Sequence, residues 1–104
     1  MKVAELHKKG NAHTVSYQCA PHVKWAVETR GIILVDQNTR LAHSLNYPHA
    51  ALWDLINRGH SFDKTVRMLC AIVSMEAKEA EQFLLESLDE WAEAGFLVKT
   101  NNHG

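Results

Sequence analysis

Four side chains near the start of the sequence are of types that bind metal ions: His7, His13, Cys19 and His22. Cys19 and His22 form a C-x-x-H pair, which is a ligand-like spacing. A structural zinc site needs a second pair of ligands, and this segment does not supply one. We therefore predict neither a metal site nor a cofactor.

Side chains that could carry out catalysis do not form a motif. The sequence has no Gly-rich phosphate loop and no nucleophile elbow, and no pair of carboxylates is placed in an obvious cleft. The histidines are scattered, and we expect His43, His49 and His60 to lie on the surface or to face a partner. The sequence therefore predicts a protein without catalytic residues that is not an enzyme.

One segment of the chain is strongly acidic. Between residues 75 and 94, seven acidic residues oppose the single cation Lys78. A helix laid against DNA needs the opposite sign, because Lys and Arg supply most of the sequence-independent affinity for phosphates. The acidic face is therefore either a solvated surface or a surface for a basic partner, and a protein or peptide ligand is favoured over nucleic acid.

Length and composition predict one soluble domain. The chain has 104 residues, of which 46% are apolar, and this is enough for one modest core. No apolar run approaches the roughly 20 residues of a membrane span, and the start lacks a signal-peptide core. We expect a cytoplasmic protein without a membrane partner, in which Cys19 and Cys70 stay unpaired and Cys70 is buried.

The apolar pattern divides the chain into an arm, a folded domain and a tail. Residues 1 to 22 have no sustained periodicity and are predicted to form a flexible N-terminal arm. Residues 23 to 99 form the domain, and residues 100 to 104 form a C-terminal tail. Strands are predicted at residues 23 to 30, 32 to 35 and 39 to 45, with a brief closing strand at 96 to 98. Asp36, Gln37 and Asn38 supply the turn before the third strand.

Three helices follow the predicted sheet. Pro48 fits the first position of the first helix, Ser61 fits the N-cap of the second, and Ser74 can cap the third. Gly59 and Gly95 fit the ends of the first and third helices. The predicted fold class is α+β, a winged helix-turn-helix-like domain with a small three-stranded antiparallel sheet packed on three helices. We expect the large side chains of Trp53 and Trp91 to lie in its core.

The apolar positions of this domain resemble a known family. The resemblance rests on Leu45-Asn46 before a helix, on the run from Leu52 to Ile56 that closes at Gly59, and on Phe83-Leu84 and Leu88 ahead of Gly95-Phe96-Leu97. Over residues 23 to 98 this pattern is similar to the pyrroloquinoline quinone synthesis protein D family. The resemblance implies a recognition element of ribosomally made and modified peptide (RiPP) pathways. Such a domain binds the leader of a precursor peptide and presents it to a modifying enzyme, often a radical SAM enzyme, as in pyrroloquinoline quinone biosynthesis.

The resemblance also implies where the peptide binds. An exposed edge strand offers unpaired N–H and C=O groups that an extended peptide can complete, and pockets beside it can read alternate side chains. The last strand lies beside the third helix in the family arrangement, where apolar side chains would form the floor of a groove and Ser87 part of its rim. The predicted peptide-binding residues are Thr39, Arg40, Leu41, Ala42, His43, Ser44, Leu45, Phe83, Leu84, Ser87, Leu88 and Trp91. At helical spacing, the apolar members of this set are equally what a core helix needs.

Proline substitution at Ala42 or Ser44 would test strand addition. We expect one substitution to remove an N–H that the peptide needs, and the other to damage the sheet.

Two other functions remain open at this stage. One is a winged-helix regulator that binds DNA. It is supported by basic residues near the wing and on the helices: Arg30, Arg40, Arg58, Lys64 and Arg67. The other is a structural interaction subunit that forms a homodimer through its edge strand without a peptide ligand.

Overall fold

The computed structural model describes residues 16 to 100 of the 104-residue chain. Its elements follow in the order β1 (Ser16–Cys19), β2 (Val23–Glu28), β3 (Gly31–Asp36), β4 (Leu41–Asn46), α1 (His49–Asn57), α2 (Phe62–Val73), α3 (Ala77–Glu93) and β5 (Leu97–Thr100). Strands β2, β3 and β4 form an antiparallel sheet in that order. The α+β class, with a three-stranded sheet and three helices, is confirmed.

A second, two-stranded sheet joins the two ends of the described chain. β1 pairs antiparallel with β5, and the Ala20 N–H donates to the Phe96 carbonyl at 2.9 Å. Residues 16 to 22 therefore belong to the fold, although the sequence predicts an arm there, and Thr100 is a strand residue and not the start of a tail. The paired residues Ser16 and Thr100 are 84 positions apart in the sequence, so no local sequence pattern predicts that β1 and β5 pair. The rest of the predicted arm and tail, residues 1 to 15 and 101 to 104, lies outside the described residues.

Short turns fix the register of the three-stranded sheet. Glu28 and Gly31 are partners across a two-residue turn, so β2 ends two residues before its predicted end at residue 30. In the next turn, the Asp36 side chain accepts hydrogen bonds from the backbone N–H of Asn38 at 2.9 Å and of Thr39 at 3.3 Å. This is the turn chemistry that the sequence predicts for residues 36 to 38.

The first two helices begin close to their predicted starts. Pro48 is the N-cap of α1 and the helix begins one residue later, at His49. Ser61 caps α2 as predicted, because its Oγ accepts from the Lys64 N–H at 3.1 Å. Gly59, with φ of +82°, follows the end of α1.

The predicted cap of α3 is wrong by two residues. Ser74 belongs to the end of α2, where it takes the left-handed conformation at φ 61° and donates its N–H to Cys70. Glu76 is the N-cap of α3 and forms a reciprocal capping box with Glu79. Both Ser and Glu side chains can accept hydrogen bonds from the free N–H groups at the start of a helix. The capping box between Glu76 and Glu79 makes Glu76 the N-cap of α3.

The core lies between the three-stranded sheet and the helices. Trp53 is fully buried and Trp91 is 5% exposed, as expected. Cys70, which was expected to be buried, is only half-buried at the edge of the core. Val27 near the end of β2 is 71% exposed. Other core members are Val23, Ile32, Leu34, Leu52, Leu55, Leu69, Leu84, Leu88 and Leu97.

Candidate functional site

β4 is an edge of the three-stranded sheet, and β2 is the other edge. Within residues 16 to 100, β4 pairs with β3 on one side and with no strand on its other side. An edge of this kind presents a row of free backbone donors and acceptors. β4 is therefore positioned to accept an added strand.

The free edge is shorter at its start than the sequence predicts. Thr39 and Arg40 lie in the turn before β4, and Arg40 takes a left-handed conformation at φ 66°. A residue in that conformation cannot continue an extended ladder. The edge therefore spans Leu41–Asn46, and the predicted contribution of Thr39 and Arg40 as strand residues is wrong.

The register of the sheet determines which backbone groups of β4 are free. The partners that close a two-residue turn, here Glu28 and Gly31, exchange backbone hydrogen bonds with each other. Because these bonds alternate between the two sides of a strand, Ile32 bonds toward β4, where its partner is Leu45. Leu45 must then point its backbone groups toward β3.

Two contacts agree with this alternation. The Leu45 carbonyl lies directly against the Cα of Gly31, which places it on the β3 side. In β2 the same alternation turns the Val23 N–H away from β3, and this N–H donates to the Ala20 carbonyl at 3.0 Å. The groups on the free side of β4 are therefore the N–H and C=O of Ala42, Ser44 and Asn46.

This result changes one expectation from the sequence. Ala42 and Ser44 are two positions apart, so their N–H groups point to the same side of the strand. The expectation that proline would act in opposite ways at the two positions is wrong. Both N–H groups belong to the free edge, and His43 between them carries an N–H that pairs with β3.

The side chains of β4 divide into two faces. Leu41, His43 and Leu45 share the face that packs toward the core, and His43 and Leu45 are half-buried there. Ala42 and Ser44 are small and exposed on the opposite face. Side chains of a peptide paired with β4 would therefore alternate between an exposed face and the face of His43.

Aromatic rings line the core-facing side of the β4 edge. The ring of His43 contacts that of Phe96 with 4.9 Å between centroids, and His49 contacts Phe83 at 4.8 Å. His49 also approaches Trp91 at 6.3 Å, and the Phe96 N–H donates to the Trp91 carbonyl at 2.8 Å. We call these five residues, His43, His49, Phe83, Trp91 and Phe96, the aromatic row. His43, Phe83 and Phe96 are half-buried, His49 is exposed and Trp91 is buried, so four of the five rings are at least partly available to a ligand.

Only Phe83 among the predicted residues of α3 contributes its side chain to the accessible part of this row. Leu84, Ser87, Leu88 and Trp91 are each at most 7% exposed, because their side of α3 packs on the core. They hold the helix in place beneath the surface, so the structure does not bring them together as an open groove floor. The alternative that the sequence left open, a core role for the apolar members, describes what is observed.

Two members of the aromatic row were not predicted as site residues. His49 is the first residue of α1, where helical periodicity gives no indication of its direction. Phe96 was assigned to the closing strand, which begins one residue later at Leu97. The sequence did predict that His49 lies on the surface or faces a partner, whereas for Phe96 the only signal was an aromatic residue beside a turn.

Cys19 and His22 are the two metal candidates that lie within the described residues. Among residues 16 to 100, no group of three His, Cys, Asp or Glu side chains could hold a metal ion. Cys19 Sγ donates to the Val23 carbonyl at 3.2 Å, and burial raises the pKa of this thiol while Lys24 opposes the rise. His7 and His13 lie outside the described residues.

The charged surface of α3 carries unpaired acids. The helix holds six acidic residues and Lys78, and each of these side chains is exposed. The ion pair between Asp54 and Arg58 in α1 is the only one within residues 16 to 100, so none of the α3 acids has a cationic partner there. Within the same residues, no helix has the length and apolar character needed to cross a membrane.

Two solved structures are similar to this chain. One is described as lasso peptide synthetase B1 complexed with the leader peptide; it is 20% identical, the match covers 80% of this chain and 98% of that chain, and the TM-score is 0.73. The other is described as TbiB1 in complex with the TbiA(beta) leader peptide, at 20% identity, 84% and 98% coverage and a TM-score of 0.71. These values show a shared fold over at least 80% of this chain and nearly the whole length of each of the other two. No protein-family model and no curated protein matches the chain.

Proposed function

We propose that this chain is a non-catalytic domain that binds the leader of a ribosomally made precursor peptide and presents it to a modifying enzyme. The leader pairs with β4 as an added strand. The observation that carries the proposal is the set of free N–H and C=O groups at Ala42, Ser44 and Asn46, beside a row of partly accessible aromatic rings.

In strand addition, affinity and selectivity for the peptide come from different contacts. Backbone pairing at three alternate residues supplies affinity for an extended peptide without much discrimination between sequences. The aromatic row lies on the side of β4 to which every second peptide side chain points. Apolar or aromatic side chains of the leader can pack there on His43, Phe96 and Phe83, and this contact supplies the selectivity.

The other edge of the sheet is less suited to a peptide. At the start of β2, the outward N–H of Val23 is already bonded to Ala20, and the His22 carbonyl beside it accepts from Gln37 at 2.8 Å. Farther along β2, Val27 is 71% exposed and belongs to no aromatic cluster. β4 therefore offers both the free groups and the side-chain contacts.

The two structures with this fold support the proposal, since each is described as bound to a leader peptide. The sequence resemblance to the pyrroloquinoline quinone synthesis protein D family also supports the proposal. We propose a peptide-modifying enzyme as the partner. Three finer points stay predictions from the sequence: a radical SAM type of enzyme, a place in pyrroloquinoline quinone synthesis, and a cytoplasmic location.

The test uses proline at the free edge. Proline removes an N–H, and at Ala42 or Ser44 this N–H takes no part in the sheet. We expect Ala42→Pro and Ser44→Pro to remain folded and to weaken binding of a fluorescein-labelled cognate leader by at least about tenfold, the loss of one or more backbone hydrogen bonds. Fluorescence anisotropy measures binding, and circular dichroism measures folding.

Two matched variants complete the experiment. Val27→Pro removes an outward N–H from the other edge and should leave leader binding unchanged. His43→Pro removes an N–H that pairs with β3 and should lower the melting temperature. If Ala42→Pro and Ser44→Pro stay folded and bind the leader like the parent, β4 is not the binding site.

A second candidate function rests on the same observation. Two β4 edges of different copies could pair and form a homodimer that needs no peptide. Sedimentation velocity of the parent and of Ala42→Pro distinguishes the two, because a dimer built on β4 would dissociate in the variant and would be indifferent to added leader.

A further inference from the structure

A groove lies between β1 and α3, away from the edge of β4. It is a surface depression of about 340 Å³, and the residues that line it are Tyr17, Leu85, Glu86, Leu88 and Asp89. We call it the β1–α3 groove. Its floor is formed by apolar side chains and the ring of Tyr17, and its rim carries two carboxylates.

The β1–α3 groove and the aromatic row lie on different sides of α3. At about 100° per residue, Phe83 and Leu85 point about 200° apart around the helix axis. Phe83 belongs to the aromatic row and Leu85 to the groove. The floor of the groove at Leu85 therefore faces away from Phe83, while Glu86 on the rim lies one turn from Phe83.

The rim of the groove is negative and lacks a counter-ion within the described chain. Glu86 accepts a hydrogen bond from Gln82 at 2.7 Å, which orients the carboxylate without neutralising it. Lys99 is the cross-strand partner of Tyr17, yet within residues 16 to 100 it forms no ion pair with Glu86 or Asp89. Burial raises the pKa of the Tyr17 hydroxyl, and the negative charge of Asp89 raises it further, so the ring stays neutral beside this rim.

We propose that the β1–α3 groove binds a basic segment of a second protein. An Arg or Lys side chain has the matching chemistry, because its aliphatic stem can lie on Leu85 and Leu88 while its charged head reaches Glu86 and Asp89. Charge complementarity identifies the occupant: unpaired carboxylates above an apolar floor favour a cation with an apolar stem. The chain then holds two surfaces, so that a bound peptide and a second protein can be carried together.

This inference does not depend on leader binding at β4, and its test avoids that edge. The probe is a synthetic helical peptide of repeating alanine, leucine and arginine, whose backbone N–H groups are already used within its helix. It is titrated into the ¹⁵N-labelled protein. We expect amide shifts to concentrate at Tyr17, Leu85, Leu88 and Asp89, with affinity that falls as NaCl is raised from about 0.05 to about 0.5 M.

Two double variants test the residues. Glu86→Gln with Asp89→Asn should weaken the probe at least about tenfold, because both charge-assisted contacts are lost. Glu90→Gln with Glu93→Gln removes the same charge from the same helix outside the groove, and should change the affinity by less than about twofold. All four side chains are exposed, so both double variants should stay folded, and binding of the leader at β4 should be unaffected.

Three outcomes would overturn the proposal. Amide shifts centred on β4 or the aromatic row would show that the probe binds there and not in the groove. If the two double variants weaken probe binding equally, the probe responds only to the overall charge of α3. The third concerns other occupants of the groove. If Lys2, Lys8 and Lys9 are replaced by Gln in the full chain and probe affinity rises, the chain's own basic start fills the groove. A dimer in sedimentation that Glu86→Gln with Asp89→Asn dissociates would instead assign it to a second copy.

Discussion

The indole rings of Trp53 and Trp91 meet edge to face, with 5.1 Å between their centroids and 84° between their planes. Trp25 of β2 approaches the other side of Trp53 in a similar way, at 6.2 Å and 85°. The three indoles thus connect the sheet, α1 and α3 at one point. Trp53 Nε1 is buried and has no hydrogen-bond acceptor within the described residues, so ring contacts alone surround this donor.

The first prediction concerns Trp53. We expect Trp53→Ala to lower the free energy of unfolding by about 3–5 kcal/mol, which approaches the whole stability of a small domain. Trp53→Phe should lose distinctly less, because it keeps a ring against Trp91 and removes a donor that makes no hydrogen bond. Urea unfolding followed by circular dichroism measures both. Equal losses in the two variants would contradict this account of the ring contacts.

The second prediction concerns Gly31, where β3 begins. A Cβ at this position would collide with the backbone carbonyl of Leu45, which has no freedom to move away because it pairs with β3. We expect Gly31→Ala to separate β4 from β3, to lower the melting temperature and to abolish leader binding.

Gly59→Ala is the matched control for Gly31→Ala. A Cβ at Gly59 would meet no atom within 4 Å, and its only penalty is the left-handed conformation at φ +82°, worth about 1 kcal/mol. This variant should lose a little stability and keep its binding. A Gly31→Ala protein as stable as the parent would show that the close approach of Leu45 is not required.

The third prediction concerns DNA. α3 carries six acidic residues and one basic residue, Lys78. These charges are exposed on the surface that DNA phosphates would have to approach. We expect no sequence-specific binding to duplex DNA at physiological salt. A gel shift with sub-micromolar, sequence-specific affinity would contradict the peptide-binding proposal and favour the regulator that the sequence left open.

Local chemistry made much of the fold predictable. The Asp36 turn, the Ser61 cap and the left-handed Gly59 each depend on contacts within a few residues, and the structure has all three. The start of α3 was misplaced because Ser74 suits either a cap or a left-handed helix end, and only the contact between Glu76 and Glu79 separates these roles.

The candidate site was less predictable than the fold. The edge strand followed from alternation, whereas the free backbone groups of Ala42 and Ser44 required the register set by the Glu28–Gly31 turn. Helical spacing cannot distinguish a groove floor from a core face, so the sequence left both roles open for Leu84 and Leu88, and the structure packs both residues inward. His49 and Phe96 join the aromatic row through tertiary contacts that leave no periodic signal.

The pairing of β1 with β5 determines when the second surface can form. Ser16 and Thr100 are 84 positions apart, and closing so long a loop is among the slower steps available to a small chain. The sheet of β2, β3 and β4 pairs only neighbouring segments, so its register and the backbone edge of β4 do not depend on that long closure. The β1–α3 groove depends on Tyr17 being held in place by β5. Phe96 of the aromatic row directly precedes β5, so the same closure that completes the groove also fixes the last ring beside β4.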